Sequence, residues 1–215
     1  MRVFPIAVVS ALIALSACGA PEPASRAASD TLGLRPVAVG TATAPIVTPR
    51  WNVQAVQVEV PRSLHVSEAN LLFPIADIVW RGDARGDRYD QVDAIVTEAA
   101  TRAISGMTNG QPVVVEITMK RFHALTERAR YTVGGSYGVK MDIALRDANT
   151  GMLIDGPRAL SVGFKASGGQ KAIEEEARGI TEKVAIINYL TDYLREELLR
   201  PLPMPVGSDR ISEAN

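Results

Sequence analysis

The sequence predicts an α+β fold, a two-layer sandwich in which a mainly antiparallel sheet carries two amphipathic helices on one face. Three observations predict it. Apolar residues alternate with period two at Val56-Val58-Val60, Val113 to Met119, Val139 to Leu145 and Leu160 to Phe164. Two other segments, Asp87 to about Met107 and Gln170 to Leu199, repeat apolar residues at three and four. The last three strand segments are joined by connections that suit an antiparallel meander. The order is β-(β)-α-β-β-β-α, and helices with single apolar faces bury them against one side of the sheet.

Taken in order, the first strand alternates Val56, Val58 and Val60 with Gln57 and Glu59 and stops at Pro61. A second extended segment, Leu64 to about Trp80, is interrupted at Pro74. In the first helix Tyr89, Val92, Val96, Ala99 and Ala103 share a face, and Asp90, Asp93, Glu98 and Arg102 lie away from it. Asp83 or Asp87 is placed to cap its start, and Gly106 and Asn109-Gly110 end it. Asp147-Ala148-Asn149-Thr150-Gly151 is a turn whose Asn and Gly tolerate positive φ. The last helix carries Ile173, Ala177, Ile180, Val184, Ile187, Leu190, Leu194 and Leu198 on one face. Glu174 to Glu176 near its start and Arg195 and Arg200 near its end complement its dipole, and Pro201 stops it.

This domain, residues 51–201, is one segment of the 215-residue chain. Before it, Met1-Arg2 is a positive start, and Val3 to Leu15 is free of charge. That run is too short for a spanning helix, which needs roughly 20 apolar residues. Residues 1–17 read as a secretory signal peptide. Residues 18–50 are rich in Pro, Ala, Ser and Thr, bury little apolar surface and read as a tether. Residues 202–215 read as a disordered tail.

Leu15-Ser16-Ala17-Cys18 resembles a bacterial lipobox, and Cys18 is the single cysteine of the chain. The resemblance implies acylation of the Cys18 thiol and cleavage before it. The membrane is then the first partner, reached through the lipid anchor. Two or three acyl chains, at ~0.8 kcal/mol per buried CH₂, make such residence lasting. Gly19 rather than Asp after the cysteine implies, by resemblance, the periplasmic face of the outer membrane, ahead of the inner membrane.

Composition narrows the rest. With 23 basic and 24 acidic residues the net charge is −1, and aromatic residues make up 5%. There is neither a basic field nor a stacking platform for nucleic acid. One cysteine excludes an intramolecular disulfide, so stability rests on packing.

The motifs that could carry chemistry each lack a partner. Gly134-Gly135-Ser136-Tyr137-Gly138 matches Gly-x-Ser-x-Gly, but a strand follows the serine, and both histidines, His65 and His123, precede it. It reads as a glycine-rich hairpin loop. The two histidines are too few for a metal site, and Gly168-Gly169-Gln170-Lys171 lacks phosphate-loop spacing. No catalytic residue, metal or cofactor is expected. Two regions remain as candidate partner contacts. One is the charged loop with Trp80, Arg81, Asp83, Arg85, Asp87 and Arg88, against the plainer reading of a solvated loop. The other is the basic cluster with Arg121, His123 and Arg130, against that of a charged sheet face protecting an edge.

Residues from about Leu72 to Leu199 resemble an uncharacterised family of alphaproteobacterial lipoproteins. The carriers are Leu72-Phe73-Pro74-Ile75-Ala76-Asp77-Ile78-Val79-Trp80, Arg121-Phe122-His123-Ala124-Leu125-Thr126-Glu127 and Ala129-Arg130-Tyr131-Thr132-Val133-Gly134-Gly135. The strand–Asp-Ala-x-Thr-Gly–strand turn is also similar to small periplasmic accessory lipoproteins that assist envelope machines. The expectation is a non-enzymatic envelope lipoprotein that binds a protein or envelope component. The alternatives are a hydrolase of envelope polymer, using His123 with Ser136 or a carboxylate pair, and a carrier of a lipid or small apolar ligand.

Overall fold

The structure is a computed structural model that describes residues 50–201. The segments read as signal peptide, lipidation residue Cys18, tether up to residue 49 and tail from residue 202 lie outside the described residues. The elements are β1 (Trp51–Glu59), β2 (Ile78–Val79), α1 (Arg88–Ala103), β3 (Gln111–His123), α2 (Glu127–Arg130), β4 (Gly135–Asp147), β5 (Leu153–Ala166), α3 (Gln170–Ala177) and α4 (Glu182–Leu199). This is the α+β sandwich that the sequence predicts.

The sheet order is β1-β3-β4-β5, and β3, β4 and β5 pair antiparallel as the meander requires. β1 instead runs parallel to β3, with Val56 beside Val115 and Val58 beside Ile117. Helix α1 is the crossover that a parallel pair needs. The short β2 continues the same edge, pairing Ile78 and Val79 with Phe122 and His123. The long extended segment expected from Leu64 is thus irregular except at β2.

One face of the sheet is covered and the other is open. Val113, Val115, Ile117 and Met119 are buried, while Val114, Glu116 and Thr118 between them are only partly covered. An extra residue, Lys120, breaks the register after Met119. The bulge turns Phe122 onto the covered side and places Arg121 and His123 on the open one. The covering layer is α1 and α4, whose Val92, Ile95, Val96, Ala99, Ile186, Leu190 and Leu194 join the strand residues in one core. α1 starts where an aspartate cap was expected: Asp87 accepts from the backbone N–H groups of Tyr89 and Asp90.

Two sequence expectations are corrected. The long helix over 170–199 is two helices, broken at Gly179, whose φ of 80° suits glycine. Thr181 then caps α4 by accepting from Val184 N–H. The break rotates the apolar stripe, so Ile173, Ile180 and Val184 are 48%, 42% and 37% exposed instead of lying in the core. Gly135 to Gly138 are also strand, not loop, and Tyr137 among them is buried, because β4 extends further toward its N-terminus than the apolar alternation.

The break gives a contrast in stability. Leu190→Ala, at a fully buried position between α4 and its neighbours, should lower unfolding free energy by about 2–5 kcal/mol. Ile173→Ala should cost less than about 0.5 kcal/mol. Urea denaturation of the two variants checks this; equal losses would mean that 170–199 is one continuous buried helix.

Candidate functional site

The charged loop is held by its own charges. Arg88 is buried, and its guanidinium donates to both carboxylate oxygens of Glu68 (2.7 and 3.2 Å), to Gln91 (2.7 Å) and to the carbonyls of Asp83 and Ala84. Arg81 makes a bidentate pair with Glu127 and also reaches the Glu68 carbonyl at 2.7 Å. Asp83 accepts from Trp80 Nε1 (3.0 Å) and pairs with Lys183 (3.1 Å). Asp87 caps α1 and pairs with Arg62. Trp80 is fully buried, edge-on to Phe122 at 5.9 Å. Of the six loop residues singled out from the sequence, Arg85 alone stands exposed with no hydrogen-bond partner among the described residues. The alternating charges are internal mortar between this loop, α1, α2 and α4, and their hydrogen bonds leave little for a partner.

Arg121 and His123 do share the open sheet face. Arg121 Nη2 lies 3.0 Å from His123 Nδ1, and His123 Nε2 lies 2.5 Å from the Ala76 carbonyl. The one tautomer that suits both carries its proton on Nε2, donating to Ala76 and accepting from Arg121. Burial pushes the His123 pKa below its ordinary value, and the nearby Arg121 charge adds to this. His123 is thereby a clamp on the 70–77 loop, with both ring nitrogens engaged.

That loop was legible only as a Pro-interrupted apolar run, a combination that marks a turn at the surface. Leu71, Phe73 and Ile75 are 52%, 85% and 94% exposed, while Leu72 between them packs against the core. The backbone beneath is pinned: Thr126 Oγ1 donates to the Leu71 carbonyl (2.8 Å), Arg128 N–H to Asn70 Oδ1 (2.8 Å), and Asp77 N–H to the His65 carbonyl (2.9 Å). Tyr131 and Val133, following α2, are exposed as well.

Arg130 parts from the basic cluster altogether. Its side chain is buried, and Nη1 makes a long contact of 3.4 Å to the Tyr137 hydroxyl. Nε and Nη2 meet no acceptor among the described residues. Its backbone is fixed because Gly169 N–H donates to the Arg130 carbonyl (2.8 Å), beside a crossing where the Gly134 and Gly168 backbones touch. A Cβ on Gly168 would lie 2.0 Å from Gly134 N, so only glycine fits there.

Beside it, a cleft of about 300 Å³ is walled by Arg81, Asp83, Arg130, Tyr131, Glu176 and Glu182. Glu182, in the first turn of α4, accepts from Leu125 N–H (2.8 Å). Burial raises its pKa to about 7, against the pull of that N–H and of the Arg130 charge. Sequence reasoning missed Glu182, since an acidic residue after a threonine cap reads as an ordinary helix start.

A titration consequence follows. The folded carboxyl near 7 binds its proton more tightly than the unfolded one at 4.5. Its contribution to stability is therefore full below about pH 4.5 and lost as pH rises through about 7, a span of roughly 3 kcal/mol at most. Glu182→Gln keeps an acceptor for Leu125 and should flatten that slope, leaving the variant the more stable of the two at pH 8. Urea midpoints from pH 5 to 8 check this, and parallel curves for the two proteins would refute it.

No curated protein matches. Among solved structures, a DUF330 protein from Xanthomonas campestris is 11% identical, with 72% of this chain and 88% of that one covered at a TM-score of 0.42. A putative lipoprotein from Caulobacter crescentus is 13% identical, with 71% and 90% covered at a TM-score of 0.30. No role passes from likenesses of this size. At the level of sequence, residues 51–213, the whole of the domain and part of the tail, match a family of unknown function, DUF6778, and the chain belongs to that family.

Proposed function

We propose that this chain is an envelope lipoprotein, anchored through Cys18 at the periplasmic face of the outer membrane, with a non-enzymatic role in binding a partner protein. The observation that carries the binding role is the pinned loop that holds Leu71, Phe73 and Ile75 out to solvent. A folded chain gains nothing by exposing three large apolar side chains on a braced backbone, and such patches mark interaction sites. Bracing lowers the ordering cost of binding, and apolar anchors entering pockets supply most interface energy. A protein fits the loop better than a lipid surface. Arg81 and Arg88 beside it are engaged with Glu68 and Glu127 and so are not presented to anionic headgroups.

The hydrolase reading loses support from the same region. His123 has both ring nitrogens committed, to Arg121 and to Ala76, so it is not poised to take a proton from Ser136.

Anchoring and binding are tested separately. Cys18→Ser should release the protein from the membrane fraction on cell fractionation; unchanged membrane partition would refute the anchor. A photo-crosslinking residue at Phe73 should trap one discrete protein adduct in intact cells, while the same residue at exposed Lys171, on α3, should not. Adducts to lipid alone, or equal adducts at both positions, would refute the docking loop.

A further inference from the structure

A second cleft, of about 370 Å³, lies between β5 and α4 and has Arg130, which also lines the first, in its wall. Its walls are Tyr137, Phe164, Ile180, Ala185 and Tyr189. The aromatic rings form a continuous surface. Phe164 stacks on Tyr189 with ring centres 3.8 Å apart and planes within 5°, and Tyr137 tilts against Phe164 at 4.8 Å. Neither the docking loop nor the anchor uses this cleft.

We propose that the cleft between β5 and α4 binds a monocarboxylate with an apolar body, its carboxylate on the Arg130 guanidinium and its body over Tyr137, Phe164 and Tyr189. A buried guanidinium with two donors that meet no acceptor among the described residues is costly for a fold to keep, so it calls for an anion. The two nitrogens of Arg130 that meet no acceptor, Nε and Nη2, form one edge of the guanidinium plane. That edge presents two parallel N–H donors, the geometry that a carboxylate accepts through both oxygens. Both nitrogens are shielded from solvent, so a ligand reaches them only when the guanidinium turns toward the cleft, and the long 3.4 Å contact to Tyr137 is the side-chain hydrogen bond given up in that turn.

The walls set the class of ligand. Aromatic and aliphatic side chains share the lining with Ser167, Thr181 and Asn188, and the volume is within the range of small-molecule sites. The charged residues of the lining, Arg130 and Lys165 against Glu175 and Asp192, balance to no net positive charge, which suits a single carboxylate better than a doubly charged phosphate. The buried Glu182 carboxylate is held by Leu125 N–H and makes no hydrogen bond to Nε or Nη2 of Arg130.

Calorimetric titration of the detergent-solubilised full chain with 4-phenylbutyrate tests this, with acetate and 4-phenylbutanol as the head and the body alone. 4-Phenylbutyrate should bind saturably, and each control at least tenfold more weakly. Arg130→Met should weaken 4-phenylbutyrate at least tenfold. Ala185→Phe, which fills the cleft and leaves Arg130 in place, should do the same and decides the matter should Arg130→Met fail to fold. No saturable binding, equal affinity for the alcohol, or unchanged affinity in a folded variant would overturn the proposal.

Discussion

The long stretch between Glu59 and Arg88 has almost no regular structure of its own, and the top of the domain depends on what holds it. A connection of that length in a compact domain needs either a function or a set of ties. Here Glu68 receives two arginines at once, Arg81 from its own loop and Arg88 from the start of α1. Arg81 passes the tie on to Glu127 in α2, and Asp83 carries it to Lys183 in α4. Trp80 plugs the centre, and a Cβ on Gly82 would come within 2.3 Å of its ring. Isolated surface pairs contribute little, but a network with half-buried arginines shares its ordering cost among several elements. Glu68 and Glu127 are accordingly held below the usual carboxylate range by their arginines.

What the sequence made legible was local. Alternation located the strands of the meander, and three-four spacing located α1 and the core face of α4, because burial on one side imposes those periods directly. The parallel pairing of β1 with β3 was not legible, since period two is the same for both directions and the partner lies across a helix. The break at Gly179 was hidden by Ile173, Ile180 and Val184, which continue the helical spacing although the chain has turned. Of the three, Ile180 forms part of a cleft wall.

The candidate site was legible in its residue types and misplaced in its roles. Alternating Arg and Asp suggested an outward contact, yet depth decides what a charge does, and depth is not written in spacing. Arg88 and Arg130 are both nearly inaccessible, and they differ only in company: one is saturated with acceptors and the other is half bare. The first holds the fold and the second asks for a ligand. The exposed triad at Leu71, Phe73 and Ile75 went unremarked for the opposite reason, since an apolar run is ordinarily assigned to the core.

Trp51 donates through Nε1 to the Leu198 carbonyl, and Arg50 reaches the Arg200 carbonyl. The first and last described residues of the domain are thus stitched together beside the start of β3, whereas Arg130, Glu182 and the 70–77 loop gather beyond its far end. Any handle joined at either boundary of the domain, whether an affinity tag, a biosensor linkage or a fused reporter, is attached a full strand's length away from both surfaces proposed for binding. The fold can be immobilised by its ends while that opposite end stays accessible.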